Sequence, residues 1–108
     1  MEETSTPRAY LLVEKSTAAT QVGQRIDISE YPFILGRNLP ALSFDSEISR
    51  RHAQITYNPQ NYKFYLIDMQ STNGVFINGV RIQVNLINEI KSGVRIGLGA
   101  NVVVRFEV

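Results

Sequence analysis

Three short polar clusters contain the residues that could bind a ligand: Gly36-Arg37, Ser49-Arg50-Arg51-His52 and Thr72-Asn73-Gly74. Together they supply guanidinium groups, two hydroxyls and an amide. A small anion with many acceptor oxygens needs these donors, because the planar fork of arginine matches phosphate geometry and the other groups can satisfy the remaining oxygens. The clusters therefore indicate a site for an oxyanion.

Taken one at a time, these residues also have ordinary structural explanations. Arg37 could be a solvated surface charge, and Arg50-Arg51 an exposed pair without a role. Ser49 could satisfy local backbone groups, as loop serines often do, and Asn73 could simply form a turn. His52 is interpreted as a structural, hydrogen-bonded histidine. The joint spacing of the clusters, rather than any single residue, favours binding.

Two Asn-Gly pairs, Asn73-Gly74 and Asn78-Gly79, flank the apolar triplet Val75-Phe76-Ile77. Asn-Gly is a strong turn signal because both residues tolerate positive φ. The triplet, the second pair and Val80-Arg81-Ile82 therefore predict a β-hairpin. The first pair also turns the chain, and it presents Thr72 and Asn73 at a loop tip.

The elements that must position these clusters are strands. Val, Ile and Thr make up about a quarter of the 108 residues, and these side chains favour pleated sheets. Short apolar or alternating segments predict strands at residues 9–14, 25–29, 33–35, 51–57, 62–68, 75–77, 80–82, 94–99 and 101–108. Residues 38–47 are predicted to be a long surface loop, and residues 84–90 could be a loop or a helical turn. This pattern predicts an all-β sandwich with the binding loops at one end.

Composition excludes several classes of protein. The formal charge of +1 gives no strong field for nucleic acid or an anionic membrane, and no apolar run is long enough to span a bilayer. The chain has no cysteine, which excludes disulfides and thiolate sites and agrees with a cytoplasmic, intracellular location. Residues 1–7 are predicted to be a flexible N-terminal segment and residues 8–108 one domain.

Catalysis is not expected. Ser49, His52 and nearby Asp45 could suggest a triad, but Ser49 and His52 are separated by an odd interval at the entry to a strand, where alternation would turn their side chains apart. A triad requires a serine–histidine hydrogen bond and a separate oxyanion site. One histidine and no cysteine leave no credible metal cluster, so neither a metal nor another cofactor is predicted.

The order of these motifs resembles that of the forkhead-associated (FHA) domain, a phosphothreonine-binding module. The family pattern is Gly-Arg after a strand, then Ser-x-x-His, a pair of apolar strands, Thr-Asn-Gly and a second Asn-Gly. Gly36-Arg37, Ser49 to His52, Ser71 to Gly74 and Asn78-Gly79 match it in order and in similar intervals. The resemblance extends from about Ala9 to Val108, and it implies a β-sandwich of about eleven strands.

The resemblance also implies a role for each matched residue. Arg37 would contact the phosphopeptide and its phosphate, and the Ser49 hydroxyl would donate to a phosphate oxygen. Arg50 would add a further phosphate contact, and Thr72 would lie at the phosphate pocket. Asn73 would hydrogen-bond the peptide backbone and shape a pocket for the threonine methyl group. The structural supports of this site would be Gly36, His52, Gly74, Asn78 and Gly79.

The chain departs from the family pattern at Gln70 and Val75, where small or hydroxylated residues are commoner. The implied function is phosphorylation-dependent protein–protein interaction in signalling, with a Ser/Thr kinase acting upstream on the phosphothreonine-containing partner. An alternative is a phospho-independent interaction or scaffold module on the same fold. Nucleic-acid binding through Arg37, Arg50 and Arg51 is disfavoured, because the sequence lacks a basic face with interleaved aromatic residues.

Overall fold

The computed structural model describes residues 7–108. The predicted N-terminal segment, residues 1–7, therefore lies almost entirely outside the described residues. The strands are β1 (Ala9–Lys15), β2 (Arg25–Ile28), β3 (Phe33–Leu35), β4 (Ala53–Asn58), β5 (Lys63–Asp68), β6 (Val75–Ile77), β7 (Val80–Arg81), β8 (Asn88–Ile90), β9 (Arg95–Leu98) and β10 (Val102–Glu107). Two short 3₁₀ turns, Ala19–Gln21 and Pro40–Leu42, interrupt the loops.

The strands form two antiparallel sheets, as the alternating segments predict. The six-stranded sheet has the order β2-β1-β10-β9-β6-β7, and the four-stranded sheet has the order β3-β4-β5-β8. The predicted all-β sandwich is confirmed. Residues 7–108 contain ten strands, against the eleven or so that the family resemblance implies.

One apolar core lies between the sheets. Strict alternation directs Leu11 and Val13 of β1, and Val104 and Phe106 of β10, inward, so that each of the four is at most 1% exposed. Phe106 packs edge-on against Phe64 from the opposite sheet, with 5.1 Å between ring centroids. Each such side chain contributes roughly 1.5–3 kcal/mol on burial. The core holds the two sheets in a fixed position, and the loops at their ends are built on this base.

The prediction of a surface loop over residues 38–47 is only partly right. The segment contains the 3₁₀ turn, and it buries Leu42 at 1% exposure and Asp45 at 5%. Ile48, just beyond it, is completely buried. These anchors lie on irregular backbone, where neither the period of a helix nor that of a strand applies. Periodicity therefore could not detect them.

The Asn78-Gly79 turn and residues 84–90 show that the sequence predicts a turn from its residue types more readily than a short strand from its periodicity. The Asn78-Gly79 pair joins β6 to β7 with φ values of 49° and 86°, the left-handed pair that this hairpin turn requires. The ambiguous segment 84–90 is a loop followed by β8, an edge strand that pairs with β5 alone. Ile90 is the one buried residue of β8, so this short strand has no readable period.

Strand register assigns every loop to one of two ends. Leu35, Ala53 and Asp68 are aligned neighbours in the smaller sheet, while Val75, Leu98 and Val102 are aligned in the larger one. The loops 36–52, 69–74 and 99–101 continue from these positions, and we call this the apical end. The loop 82–87 lies there too, because Val84 forms a bridge with Asp68. The Asn78-Gly79 turn lies at the basal end, beyond the other end of β6. All three polar clusters are apical.

Candidate functional site

The first part of the apical site is a close backbone contact between residues 36–37 and residues 49–50. The Arg37 N–H donates to the Ser49 carbonyl at 3.2 Å. A Cβ atom added to Gly36 would lie 1.9 Å from the Arg50 carbonyl oxygen, which is far inside van der Waals contact. Gly36 therefore permits an approach that no other residue allows, and it brings the exposed Arg37 side chain beside Arg50.

The second part joins the Ser49 segment to the Thr72-Asn73 loop. The Ser49 hydroxyl oxygen accepts from the Thr72 N–H at 3.4 Å, and the Asn73 Nδ2 donates to the Glu47 carbonyl at 3.0 Å. The Ser49 hydroxyl hydrogen remains available to donate elsewhere. So do the second Nδ2 hydrogen and the Oδ1 acceptor of Asn73. Both side chains can therefore contact a ligand while they hold the two loops together.

The loop that carries Thr72 and Asn73 is fixed from within. Asp68 Oδ1 accepts from the Ser71 N–H at 2.8 Å, and the Ser71 hydroxyl accepts from the Gly74 N–H at 3.1 Å. Gln70 adopts a left-handed φ of 64°, and Gly74 has φ 91°. The side chain of Val75 is completely buried. Of the two departures from the family pattern, Gln70 therefore lies in a tight turn of the loop, and Val75 packs into the core.

His52 connects the loops from below. Its Nδ1 accepts from the Ser49 N–H at 3.0 Å, and its Nε2 lies 2.7 Å from the Gly74 carbonyl oxygen. The neutral tautomer with the proton on Nε2 satisfies both contacts. Burial lowers the pKa of His52, although the Gly74 carbonyl and the negative charge of Asp68 oppose this shift. The imidazole is thus held neutral between two backbone groups.

The argument from strand alternation about Ser49 and His52 is wrong in its premise. β4 begins at Ala53, so both residues precede the strand, and the histidine ring folds back onto the serine backbone. His52 Nδ1 contacts the Ser49 N–H and not its hydroxyl, which differs from the serine–histidine hydrogen bond of a triad. Within residues 7–108, no group of three or more His, Cys, Asp or Glu side chains is placed to hold a metal ion.

A shallow pocket of about 400 Å³ opens beside these loops. Its lining consists of Arg37, Asn38, Ser43, Arg50 and Arg51. None of these five residues is acidic. Among the ion pairs of residues 7–108, arginines are found only at positions 25, 95 and 105, so the three guanidiniums of the pocket have no carboxylate partner there. The pocket thus concentrates three positive charges in a chain whose total formal charge is only +1.

The structure brings together most of the residues predicted for the site. Arg37, Ser49, Arg50, Thr72 and Asn73 lie at the apical end, and Gly36, His52 and Gly74 lie directly beneath them. Asn78 and Gly79 do not join them. Their turn is basal, where the Asn78 side chain accepts from the Arg95 N–H at 3.0 Å.

Three residues that position the site were missed by sequence reasoning: Glu47, Asp68 and Ser71. The Ser71-x-x-Gly74 spacing is a local signal, because a serine hydroxyl can accept from a backbone N–H three residues later. Glu47 had no such signal. Its carbonyl contacts Asn73 and its carboxylate contacts the Ala100 N–H at 3.2 Å, and both partners are distant in sequence.

The fold and the site together define a class of protein: a β-sandwich interaction module with a polar, arginine-rich set of loops at one end. The family model described as "FHA domain" matches residues 20–99, and the chain belongs to this family. FHA domains are known for binding phosphothreonine peptides, and they are interaction modules rather than enzymes. Within residues 7–108, the structure contains no helix of sufficient length and apolarity to cross a membrane.

Among curated proteins, the chain is 41% identical over 66 residues to vacuolar protein sorting-associated protein 64 of Saccharomyces cerevisiae, which covers 60% of this chain. The chain spans 11% of the length of that relative. Among solved structures, it is similar to the kinase-interacting FHA domain of the Arabidopsis kinase-associated protein phosphatase. That match has 30% identity, a TM-score of 0.75, and coverage of 93% of this chain and 92% of the other.

A further solved structure comes from a study of phosphothreonine-dependent FHA domain interactions. It has 25% identity, a TM-score of 0.71, and coverage of 94% of this chain and 97% of the other.

Proposed function

We propose that this domain binds phosphothreonine-containing segments of a partner protein and leaves them chemically unchanged. The proposal rests on one observation: three segments that are distant in sequence come together at the apical end and form one exposed cluster of hydrogen-bond donors. Arg37 contacts the Ser49 carbonyl through its backbone, and the Ser49 hydroxyl contacts Thr72. A phosphate group adds about −1.5 to −2 charge and three acceptor oxygens, which this cluster can receive.

Each side chain has its own part in this proposal. Arg37 and Arg50 supply positive charge, and Ser49 and Thr72 supply hydroxyl donors for the phosphate oxygens. Asn73 retains an amide hydrogen and an acceptor for the peptide backbone, in addition to its bond to Glu47. The threonine methyl group would add roughly 1–3 kcal/mol of preference over phosphoserine if it fills a fitted pocket.

The expected affinity is micromolar. Charge-assisted hydrogen bonds contribute roughly 1.5–3 kcal/mol each, and ordering a flexible peptide offsets several kcal/mol of this gain. A net value of about −8 kcal/mol corresponds to a micromolar dissociation constant. Binding of this strength suits reversible signalling inside a cell, in which a Ser/Thr kinase creates the ligand.

The proposal is tested by screening a degenerate peptide library with a fixed phosphothreonine, followed by titration of the selected peptide. We expect the unphosphorylated peptide and its glutamate version to bind at least about tenfold more weakly, because a carboxylate has fewer oxygens and less charge. Arg37→Ala, Ser49→Ala and Asn73→Ala should each weaken binding by about tenfold or more.

The matched control is Arg95→Ala. It removes the same type of side chain from the basal end, where Arg95 pairs with Glu14, and it should leave the affinity unchanged. Equal binding of the phosphopeptide by the wild type and Arg37→Ala would contradict the proposal. If the Ser49→Ala, Asn73→Ala double variant fully retained an unphosphorylated partner, the domain would instead be a phospho-independent interaction module.

A further inference from the structure

We propose that the apical pocket has a second anion subsite, centred on Arg51, that receives another oxyanion of the same bound segment. The second group would be a phosphate or a carboxylate close in sequence to the phosphothreonine. This inference rests on the proposed function, and it narrows the partner to segments that are acidic or phosphorylated more than once. It also gives a role to Arg51, which the proposed phosphothreonine contacts do not use.

The first step of the argument is the position of Arg51. It lines the same pocket as Arg37 and Arg50, whereas the hydrogen bonds that join Ser49, Thr72 and Asn73 involve the opposite loop. The lining of the pocket therefore continues from Arg37 and Arg50 to Asn38, Ser43 and Arg51, and it includes neither Thr72 nor Asn73.

The second step is the balance of charge. A single phosphate carries at most about two negative charges, and Arg37 with Arg50 can already neutralise them. Arg51 adds a third positive charge to a pocket whose five lining residues include no carboxylate. Like charges that share a pocket repel one another, so a second anion would relieve a repulsion that one phosphate does not fully balance.

The third step is the supply of hydrogen-bond donors. The Asn38 Nδ2 lies 3.5 Å from the Ile34 carbonyl, at the outer limit of a hydrogen bond, so its amide hydrogens are available to a ligand. The guanidinium of Arg51 is exposed and has no ion-pair partner within residues 7–108. Together, the planar guanidinium and the amide donor are better suited to bind a second phosphate than to bind a neutral side chain of the ligand.

The test compares peptides that carry one or two anionic groups. The starting probe is the singly phosphorylated peptide selected from the library. In each derivative, one position within about four residues of the phosphothreonine, on either side, carries a phosphoserine or a glutamate. Four residues of extended chain span roughly 13 Å. Each peptide is titrated against the wild type, Arg51→Ala and the control Arg95→Ala.

We expect a second phosphate at one or two positions to tighten binding by the wild type and Arg95→Ala by about fivefold, and glutamate to do so less. Arg51→Ala should lose this gain but bind the singly phosphorylated peptide within about threefold of the wild type. The gain should decrease between about 0.05 M and 0.5 M salt, because an exposed pair is screened.

The inference is overturned if no position gives a gain with the wild type, or if Arg51→Ala weakens singly and doubly modified peptides equally. Either result leaves the proposed function standing, because the singly phosphorylated peptide still binds. A wild type that binds no phosphopeptide would instead contradict the proposed function itself. A gain from glutamate alone would identify acidic side chains, rather than phosphorylation, as the source of the second anion.

Discussion

At the scale of single residues, His52 shows how a buried side chain can organise an exposed site. Its two ring nitrogens contact Ser49 and Gly74, which belong to different loops, and the residue itself is completely buried. Protonation of Nδ1 would abolish its contact with the Ser49 N–H. The charge state of one imidazole therefore affects the loops that carry Ser49 and Thr72.

This arrangement predicts the sign of a pH effect on stability. Burial lowers the pKa of folded His52 below the ordinary value of 6.5, so the unfolded chain binds more protons as the pH falls through that range. The contribution of His52 is fully present above about pH 6.5 and is lost progressively at lower pH. Urea unfolding between about pH 5 and pH 8 should show this loss.

The control is His52→Gln, which removes the only histidine of the chain. It should be less stable than the wild type by about 1–3 kcal/mol near neutral pH, because a buried hydrogen bond is lost. The difference between the two proteins should decrease as the pH falls. Parallel stability curves over this pH range would show that His52 does not titrate as proposed.

Gly36 leads to a second prediction at the residue scale. Gly36→Ala should cost more than about 2 kcal/mol and weaken phosphopeptide binding, because the new Cβ would lie 1.9 Å from the Arg50 carbonyl oxygen. Gly97→Ala is the matched control, since its Cβ would meet the Phe76 side chain at 3.1 Å. The nearest atom is the Phe76 Cβ, and a shift of a few tenths of an ångström would relieve this contact, so a smaller cost than that of Gly36→Ala is expected. Equal costs, measured by urea unfolding, would contradict the close approach.

At the scale of elements, the two Asn-Gly turns differ in position. Asn73-Gly74 belongs to the apical candidate site, whereas Asn78-Gly79 is a basal hairpin turn. Gly79 has φ 86° and no atom within 4 Å of an added Cβ. Gly79→Ala should therefore cost about 1 kcal/mol from backbone conformation alone. Because this turn is basal, the dissociation constant of the phosphopeptide should change by less than about twofold.

A larger effect of Gly79→Ala on binding in a fully folded variant would indicate that the β6–β7 hairpin supports the site across the length of β6. Gly74→Ala is the informative comparison. Gly74 also has a positive φ, at 91°, but its carbonyl contacts the Nε2 of His52 and the N–H of Gly99. We expect that variant to lose both stability and binding.

Sequence patterns predicted those elements in which local preference and burial agree. Strict alternation identified the ends of β2 to within one residue and those of β4 to within two, and the Asn-Gly signal identified the β6–β7 turn. Apolar anchors on irregular backbone, such as Leu42, and the three-residue edge strand β8 have no period to detect. Contacts such as Glu47 to Asn73 depend on how distant loops meet. They follow only from the folded arrangement.

At the scale of the whole molecule, charge is distributed unevenly although the total is nearly balanced. The formal charge is +1, yet Arg37, Arg50 and Arg51 line one apical pocket. By contrast, Arg95 and Arg105 both pair with Glu14 on the outer face of the larger sheet. The net charge of the sequence alone therefore concealed this local concentration of positive charge.

The pairing of the first and last strands has a consequence for how such a domain can be built into larger assemblies. Tyr10 lies opposite Glu107, so the backbone enters and leaves the sandwich side by side at the basal end. β10 rises about 3.4 Å per residue and separates that end from the apical loops by roughly 17 Å. Both ends of the domain therefore lie on the side opposite the apical loops. A segment joined at either end would begin about that distance from the face that we propose binds the partner.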